Sequence, residues 1–504
     1  MYCTDAVSQT VKDKDDNVEP LILGIDIGTS ACKAALFKKD GTPIAIASAS
    51  YPTAHPRPGW AEQAPDDWWH GVCKALHILW EKEDPQSVVG VGIDGQSWAA
   101  VAVDDAGNVL CPSPIWMDTR ASQICDRLGR TIGTDKIFAV SGNPLSPSYT
   151  LPKVLWYKEH WPDTYAKMSH VLQCNSFIVY RLTGALTQDL SQGYGLHCFD
   201  LQSGTYHTAL CEEMGINPKI LPEIMPCHHI AGTITKEAAE ACGLPVGIPV
   251  VAGGLDAACA TLGVGVLQSG QAQLQGGQAG GMSICTPEYK VSPALITSYH
   301  VIPGHWLVQG GTVGGGGVLR WFKEKFGNNE DFGQLTAQAE EIPPGSDGLV
   351  FLPYMAGERS PIWDKNAKGM YYGLDYTKTK AHTIRAAMEG VAFSIRHNME
   401  VAAKVGVTPN EMRAMGGAAN SALWMQIKAD IVGKRIYVPS SDTATTLGAA
   451  ILAGVAVGLY EDFDDAVTRT VTIKRAFEPN PENYEVYNKN YFIYRELYER
   501  LKEL

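Results

Sequence analysis

The chain has 504 residues, of which 45% are hydrophobic and 19% are charged, a globular composition that is long enough for two or three domains. A formal net charge of −13 argues against nucleic acid or a membrane surface as a partner, but it leaves open a small anionic ligand bound by local groups. No segment approaches the roughly 20 apolar residues of a membrane span. The longest uncharged candidate, residues 447–460, is short and glycine-rich, which favours a buried helix.

The start of the chain is polar and has no apolar signal core, so we interpret residues 1–20 as a mobile tail. Twelve cysteines are scattered without a CxxC pair. The nearest approach to a metal cluster combines Cys211 with Cys227, His228 and His229, but this spacing matches none of the usual zinc patterns. We therefore expect reduced, mostly buried thiols and a cytoplasmic location.

The first predicted elements form a β-meander. Residues 21–30 begin as an apolar strand and end in a turn rich in hydroxyls and glycine, and a second strand over 33–37 follows it. The Asp40-Gly41 turn then leads into a third strand. Apolar residues recur at helical spacing over 66–82, and a buried strand is predicted over 88–94.

The pattern of strand, glycine turn and strand recurs over 271–285, which suggests two related halves that each start on a β-hairpin. Before it, a strand over 249–254 runs into a predicted helix over 255–265. After it, glycine-rich turns at 310–317 and 415–421 each open a helix.

Asp26, Thr29, Ser30 and Lys33 lie where the first strand gives way to the second. A carboxylate at the end of a buried strand is costly unless it is paired, hydrogen-bonded or metal-bound. The amides, hydroxyls and lysine beside it would suit Mg²⁺ together with a polyphosphate. A hairpin whose Asp and Thr only satisfy turn amides fits equally well, and the motif alone leaves both interpretations open. The P-loop sequence GxxxxGK[ST] does not occur in this segment.

Asp256 is the second conspicuous acid, set among small and apolar residues at a predicted strand-to-helix junction. It could complement the helix dipole without further chemistry. It could also act as a general base that accepts a proton from a substrate hydroxyl. The long apolar strand and the Gly-Gly pair before it favour the second interpretation.

Polar groups also follow the strand predicted before residue 95. Gln96, Ser97 and Trp98 would offer hydrogen bonds and an aromatic face, a combination that suits a sugar, although a core position for Trp98 fits the same pattern. Asp118 and Arg120 form a similar cluster, for which a structural salt bridge is the alternative.

Taken together, these segments resemble the FGGY carbohydrate kinases, most closely the xylulokinase-like branch. The resemblance covers about residues 21–470, with the motifs in order and at fitting distances. The motifs are GIDIGTSACK (24–33), GIDGQSW (92–98), WMDTR (116–120), SYTLPKVLWYKEH (148–160), GGLDAACATLGVG (253–265), FLPYMAGERSPIWD (351–364), KGMYYGLDYTKTKAHTIRAAMEGVAF (368–393), GGAANS (416–421) and TTLGAA (445–450).

The resemblance implies an α/β, two-domain actin/Hsp70/sugar-kinase fold, which is ribonuclease H-like, with a central cleft. It implies an N-terminal domain over 21–265 that binds sugar, a C-terminal domain over 266–470 that binds ATP, and a helical extension over 471–504. Closure would exclude water, a competing phosphoryl acceptor. The implied cofactors are ATP and Mg²⁺, the partner is a small-molecule sugar, and, because family members are often dimers, a homodimer is expected.

The resemblance also assigns roles to particular residues. Asp256 is the catalytic base, and Asp26 and Asp256 hold the metal. The substrate-binding residues are Gln96, Ser97, Trp98, Asp118 and Asp256. The ATP-binding residues are Thr29, Ser30, Lys33, Gly277, Gln278, Gly316, Gly416, Gly417 and Asn420. Phosphoryl transfer needs little covalent help from the protein, so alignment and charge neutralisation should dominate.

Two departures from the family pattern leave alternatives open. Xylulokinases usually have Gly-Gln-Met-His where this chain has Gly95-Gln96-Ser97-Trp98, so another polyol, ketose or aldonate competes with a pentulose such as D-xylulose. The family typically has Leu-Gly-Thr-Ser-Gly where this chain has Gly276–Gly280 without hydroxyls, so a sugar- or nucleotide-binding sensor also competes with a kinase. Backbone amides and the Gln278 side chain are expected to replace those hydroxyls.

Overall fold

The computed structural model describes residues 19–328 and 330–503, and most of the predicted tail over 1–20 lies outside them. The chain forms two compact units. Unit 1 comprises the residues up to Leu267 with Ser298–Trp306 and Thr443–Val471, and unit 2 comprises Gln268–Thr297, Leu307–Asp442 and the residues from Thr472 onward. Both units contain a mixed sheet and helices, so the predicted α/β class with two domains is confirmed.

The strands of the described residues are short to medium in length. They are β1 (Leu21–Ile27), β2 (Ala31–Phe37), β3 (Pro43–Ser50), β4 (Glu62–Gln63), β5 (Val88–Gly95), β6 (Val101–Val103), β7 (Ser113–Pro114), β8 (His170–Leu172), β9 (Thr187–Asp189), β10 (Phe199–Asp200), β11 (Thr205–Tyr206), β12 (Glu223–Met225), β13 (Ile230–Thr233), β14 (Pro249–Val251), β15 (Gly254–Leu255), β16 (Gln271–Gly276), β17 (Gly280–Thr286), β18 (Ile296–Tyr299), β19 (Trp306–Thr312), β20 (Val350–Leu352), β21 (Met370–Tyr372), β22 (Glu411–Met415), β23 (Arg435–Pro439) and β24 (Ile473–Phe477).

The α-helices and shorter turns complete the secondary structure. The helices are α1 (Pro65–Trp80), α2 (Ser122–Leu128), α3 (Thr134–Ser141), α4 (Thr150–His160), α5 (Pro162–Lys167), α6 (Cys174–Thr183), α7 (Thr208–Met214), α8 (Lys236–Cys242), α9 (Asp256–Gly263), α10 (Gly316–Phe326), α11 (Phe332–Glu340), α12 (Lys380–Lys404), α13 (Ala422–Val432), α14 (Ala444–Ala456), α15 (Phe463–Thr470) and α16 (Tyr484–Leu501). The 3₁₀ turns are Pro85–Ser87, Leu190–Gly195, Pro218–Ile220, Ser346–Gly348, Gly417–Asn420 and Pro481–Asn483, and Gly129–Gly133 is a π-helical turn.

The two main sheets share a strand order. In unit 1 the order is β13-β14-β5-β1-β2-β3, and the second sheet has the order β18-β19-β17-β16-β22-β23-β24. In the first sheet β1 and β2 form an antiparallel hairpin, and β5 and then β14 follow as parallel strands on the β1 side. In the second sheet β16 and β17 form the hairpin, and β22 and then β23 follow as parallel strands on the β16 side. The prediction of two related halves that each start on a β-hairpin is therefore confirmed.

Alternating apolar residues explain why β1 and β5 lie at the centre of unit 1. Leu23 and Ile25 of β1 and Val91 and Ile93 of β5 are fully buried, and they belong to one apolar core with Trp68 of α1. Parallel strands buried on both faces are typical of α/β proteins. The core thereby fixes the ends of these strands, where the polar residues lie.

Helix α14 belongs to unit 1, which differs from the predicted domain limit at 470. The helix is almost entirely buried, as the glycine-rich stretch predicted. A Cβ built on Gly24 of β1 would overlap the Thr446 carbonyl oxygen, and one on Gly92 of β5 would overlap that of Ala449. The backbones of helix and sheet therefore touch directly, and this close approach assigns 443–471 to unit 1.

The segment predicted as a helical extension, 471–504, begins with a strand instead. β24 pairs antiparallel with β23 at the edge of the second sheet, and only then does α16 begin. Pairing with β23 outweighed the weak local pattern of this segment. Among the helices of residues 19–328 and 330–503, none has the length and apolar character needed to cross a membrane.

Candidate active site

Three acidic residues lie at one edge of the unit 1 sheet, where the parallel strands β1, β5 and β15 end. Asp26 of β1 is the register partner of Asp94 of β5, and Gly254 of β15 is the partner of Asp94 on the other side. Asp256 follows β15 directly as the first residue of α9. We call Asp26, Asp94 and Asp256 the acid edge. The carboxyl ends of parallel strands are where α/β proteins usually bind ligands.

Burial raises the pKa of all three carboxyls of the acid edge. Asp94 is fully buried, and burial together with the charge of Asp26 holds its pKa well above the ordinary value. Burial also raises the pKa of Asp26, although the charge of Lys33, opposite it on β2, acts the other way. The charge of Asp26 thus favours the protonated form of its strand neighbour Asp94.

Asp256 has the properties of a base that works near neutral pH. Burial, followed by the charge of Asp26, raises the pKa of Asp256 to about 7. The Ala257 amide donates to Asp256 Oδ1 at 2.6 Å and stabilises the ionised form in part. A carboxylate with a pKa near the working pH can accept a proton from a bound hydroxyl.

The carboxylates of the acid edge suit a Mg²⁺ ion whose other ligands are waters and substrate phosphates. No group of three or more His, Cys, Asp or Glu side chains in the described part of the chain is arranged as a complete metal cage. Mg²⁺ typically takes one or two carboxylates, with waters and substrate phosphates filling the other positions. Asp26 and Asp256, two half-buried carboxylates, match that donor set. The cysteines of residues 19–328 and 330–503 are mostly buried thiols.

Thr29 and Ser30 form the turn between β1 and β2, as predicted. The Thr29 carbonyl accepts a hydrogen bond from Gln63 Nε2 at 2.7 Å, and its hydroxyl accepts one from Trp116 Nε1 at 3.0 Å. Accepting that bond leaves the hydroxyl proton to donate elsewhere. Ser30 is exposed, and Lys33 is half-buried on β2. The turn therefore combines a fixed backbone with donors beside the acid edge.

Gln96, Ser97 and Trp98 follow β5 directly and lie next to Asp94. Gln96 is buried and donates through Nε2 to Gln63 Oε1 at 2.8 Å, while Gln96 Oε1 and Trp98 Nε1 are buried without a protein partner in the described residues. Buried polar atoms normally have hydrogen-bond partners, so such atoms at a strand edge point to a polar ligand. Trp98 is largely buried and stacks on Tyr149 with ring centroids 4.2 Å apart.

Asp118, which was predicted to bind sugar, takes part in a buried ion pair. Its carboxylate is fully buried, accepts from the Ala61 amide at 2.7 Å and forms a two-pronged ion pair with Arg120. Arg120 also donates to Glu62 at 2.7 Å and lies over the Trp60 ring at 3.7 Å. Because these bonds occupy both carboxylate oxygens, the geometry favours the salt-bridge alternative over sugar contact.

A buried polar network that sequence reasoning missed holds the strand ends in place. Asp189 accepts from Ser191 Oγ at 2.6 Å, and Ser191 Oγ in turn accepts from the Leu255 amide at 2.8 Å. Gln192 Nε2 donates to the carbonyls of Gly95 and Gln96 at 3.2 and 3.3 Å. The run TQDLSQ over 187–192 was the available signal, because its five polar residues, which are buried together, need partners.

Three glycine-rich segments meet in unit 2. β16 and β22 are parallel, with Gln275 opposite Met415, so the turns after them lie at one edge. At the start of α10, the amide of Gly316 donates to the Gly277 carbonyl at 2.8 Å. The amide of Gly317 donates to the backbone carbonyl of Gln278 at 2.9 Å. A Cβ built on Gly315 would overlap the backbone of the 277–280 turn. The two segments interlock only because these positions lack side chains.

The third segment, 416–420, presents an open surface. Gly416 adopts φ +82°, and a Cβ there would lie 2.8 Å from the Gly276 carbonyl oxygen, whereas Gly417 faces open space. Gly416, Gly417 and Asn420 are exposed. Unit 2 therefore brings together six of the predicted ATP-binding residues, Gly277, Gln278, Gly316, Gly416, Gly417 and Asn420, whereas Thr29, Ser30 and Lys33 belong to unit 1.

Glu358 also supports these loops and was missed by the sequence analysis. Its buried carboxylate accepts from the amides of Val313 at 2.6 Å and Arg359 at 2.8 Å, and burial raises its pKa to about 7. The Ser360 hydroxyl accepts from the Gly311 amide at 2.7 Å. The segment 358–360 thus fixes the turn before α10.

Comparison with known proteins identifies the family. The N-terminal domain of the FGGY family of carbohydrate kinases matches residues 21–263, and its C-terminal domain matches 279–457. A xylulose kinase of Bacillus subtilis is 30% identical over 489 residues, which cover 96% of this chain and 97% of that protein.

Solved structures of sugar kinases agree with these matches. The xylulose kinase from Rhodospirillum rubrum is 31% identical with a TM-score of 0.89, over 96% of this chain and 99% of that chain. The gluconate kinase from Lactobacillus acidophilus is 26% identical with a TM-score of 0.90, over 96% and 98% of the two chains. The predicted family and fold are confirmed, as is an enzyme that phosphorylates a sugar: the chain belongs to the FGGY family of carbohydrate kinases.

Proposed function

We propose that the chain is an ATP-dependent kinase of a pentulose such as D-xylulose. The observation that carries the proposal is Asp256, a carboxylate with a pKa of about 7 at the carboxyl ends of the same strands that carry Asp26 and Asp94. The xylulose kinases of Bacillus subtilis and Rhodospirillum rubrum, which are similar over nearly the whole chain, support a pentulose as the substrate.

Asp256 is the proposed general base. Its carboxylate accepts the proton of the attacking sugar hydroxyl, whose oxygen bonds to the terminal phosphorus of ATP as the bond from that phosphorus to the bridging oxygen breaks. The electron pair of the broken bond leaves with ADP. Because Asp256 is the first residue of a helix that continues a buried strand, its position is fixed by backbone on both sides.

Asp26, with Asp256, is the proposed holder of Mg²⁺. Bound Mg²⁺ would neutralise negative charge on the transferring phosphoryl group. Asp26 is half-buried at the sheet edge, so one face of its carboxylate is open to an ion or its waters. Lys33, its partner across the hairpin, adds a positive charge to the same edge.

Backbone amides of the glycine loop in unit 2 are the proposed hydrogen-bond donors to the phosphates of ATP. The carbonyls of Gly277 and Gln278 point at the start of α10, where they accept hydrogen bonds. In a planar trans peptide the N–H points opposite to the C=O. The amides of Gln278 and Ala279 are therefore directed away from α10, in a fixed orientation suited to an anion. On this account they replace the missing hydroxyls, and Gly416, Gly417 and Asn420 bind the adenosine.

Gln96, Ser97 and Trp98 are the proposed sugar contacts, whereas Asp118 supports the segment structurally. The unpartnered Gln96 Oε1 and Trp98 Nε1 would accept from and donate to sugar hydroxyls. A second candidate substrate is an aldonate such as D-gluconate. Trp98 in place of the histidine usual in xylulokinases, together with the similarity to the Lactobacillus acidophilus gluconate kinase, favours it.

A substrate panel tests the proposal. ADP release would be measured with Mg-ATP and, separately, D-xylulose, D-ribulose, D-gluconate and glycerol. We expect the highest kcat/KM with D-xylulose. A higher value with D-gluconate would establish the aldonate alternative, and sugar binding without ADP release from any compound would favour a sensor.

A further inference from the structure

A buried lysine ties together two segments of unit 1. Lys153 of α4 is fully buried, and its Nζ donates to the carbonyl of Trp98 at 2.9 Å and to that of Ile115 at 2.7 Å. Trp98 belongs to the proposed sugar segment, and Ile115 precedes the turn that carries Asp118 and Arg120. The Lys153 side chain therefore bridges two loops that are also joined by the bond from the Ala100 amide to Ser113 Oγ at 3.1 Å.

Trp98 needs such support because its backbone is strained. It adopts φ +61°, a left-handed conformation that is rare for a bulky residue and persists only where surrounding contacts enforce it. Its ring stacks on Tyr149 and meets Tyr194 edge-on, with centroids 5.8 Å apart. These contacts hold the ring, and the bond from Lys153 holds the backbone.

Helix α4 continues the same support along the chain. The Thr150 hydroxyl donates to the Ala99 carbonyl at 3.2 Å, and the Tyr157 hydroxyl donates to the Ala100 carbonyl at 2.9 Å. With Lys153 between them, these residues have spacings of three and four, which places them on one helix face. Three consecutive carbonyls after β5 are thus bound by one helix.

Burial of the Lys153 amine costs free energy, because the charged form is desolvated. Burial lowers the pKa of Lys153 to about 7, with the charge of Asp118 opposing the shift and that of Arg120 adding to it. An unbranched apolar side chain would fill a similar volume without that cost. Lys153 places two of the N–H groups of its amine on two carbonyls. The geometry of these two bonds is what the lysine supplies.

We propose that Lys153 is a positioning residue for sugar binding, which holds the Trp98 and Ile115 turns in the one arrangement that presents Gln96, Ser97 and Trp98 to the sugar. The inference rests on the proposed function, because that function places the sugar against this segment. Lys153 itself makes no contact with the reacting atoms. Its loss should therefore weaken sugar binding and leave the chemical step and ATP binding in place.

Steady-state kinetics of Lys153→Met provide the first test. We expect the KM of the best sugar to rise about tenfold or more, with kcat and the KM of ATP changed less than about threefold. The matched control is Lys428→Met, which removes another fully buried lysine with a lowered pKa, in unit 2. An unchanged sugar KM in folded Lys153→Met, or an equal rise in Lys428→Met, would overturn the inference.

Hydrogen–deuterium exchange of the unliganded variants gives a readout that does not depend on activity. In Lys153→Met, the peptides that cover 95–103 and 113–120 should both exchange faster than in wild type. In Tyr157→Phe only the peptide that covers 95–103 should exchange faster. In Lys428→Met the exchange of both peptides should be unchanged. Unchanged exchange in both peptides of Lys153→Met would overturn the inference. Failure of the wild type to phosphorylate any sugar would instead refute the proposed function, which separates the two outcomes.

Discussion

Asp26 and Asp94 are register partners on neighbouring parallel strands, which places their Cα atoms about 4.8 Å apart at one sheet edge. Neither carboxylate oxygen of Asp94 has a hydrogen-bond partner among the described residues, and the charge of Asp26 raises the pKa of this buried group. Strand pairing, rather than side-chain attraction, imposes this arrangement. A sheet that holds acids together against their repulsion is prepared for a cation.

The first prediction concerns Mg²⁺. Asp26→Asn keeps the shape of the side chain but removes its charge, so the Mg²⁺ concentration for half-maximal velocity should rise about tenfold. The measurement is velocity against Mg²⁺ at fixed ATP, and binding of the sugar alone should be unchanged. Asp40→Asn, an exposed acid in the next turn of the same meander, is the control. Equal Mg²⁺ dependence in Asp26→Asn and wild type would count against the assignment.

The second prediction concerns the interlocked glycine loops. Gly315→Ala introduces a Cβ that overlaps the backbone of the 277–280 turn, so the turn must shift and its amides lose their orientation. We expect the KM of ATP to rise about tenfold while the dissociation constant of the sugar stays the same. Gly129→Ala, whose Cβ would make only ordinary contact, is the control. An unchanged KM of ATP would show that the amides of this turn do not bind the phosphates.

The third prediction concerns substrate choice at Trp98. Histidine tolerates a positive φ better than most residues, so Trp98→His should keep the backbone while removing the indole that stacks on Tyr149. The ratio of kcat/KM for D-xylulose to that for D-gluconate should rise. Trp363→His is the control, because Trp363 also has a positive φ, of +50°, but is exposed in unit 2. A ratio within twofold of wild type would mean that Trp98 does not select the sugar.

The fourth prediction concerns the dependence of stability on pH. The pKa of Lys153 is about 7 in the folded protein and close to the ordinary lysine value of 10.5 in the unfolded chain. Between these values the unfolded chain binds the extra proton, so the free energy of unfolding rises with pH. The Tm difference between wild type and Lys153→Met should therefore shift in favour of wild type from pH 7 to pH 9.5. A constant difference across that range would contradict the buried, neutral amine.

The sequence-based predictions that the structure confirms depend on local patterns. The hairpin at Asp26, the strand-to-helix junction at Asp256 and the glycine turns each depend on neighbours within a few residues, so a short stretch of sequence reveals them. The two related halves followed because each repeats the same local pattern. The roles assigned to these residues rest on the resemblance and remain predictions.

Features that depend on contacts between distant residues were missed. The bond from Ser191 to the Leu255 amide spans 64 residues, and that from Lys153 to Trp98 spans 55, so no local pattern reports either. The packing of helix α14 on β1 and β5 was not foreseen because close approach through glycines is a property of the folded backbone. Sequence alone likewise does not show that Arg120 and Ala61 bind the Asp118 carboxylate, whose role in sugar binding remains a prediction.

The most direct test of the account is the turnover of Asp256→Asn with its best sugar, measured as ADP release beside calorimetric binding of that sugar. Loss of a general base should lower kcat by about 10²–10⁴-fold. Because Asn is nearly isosteric, the dissociation constant of the sugar should stay within about threefold of wild type. Turnover that remains at the wild-type level in a folded Asp256→Asn protein would contradict the assignment of Asp256 as the base.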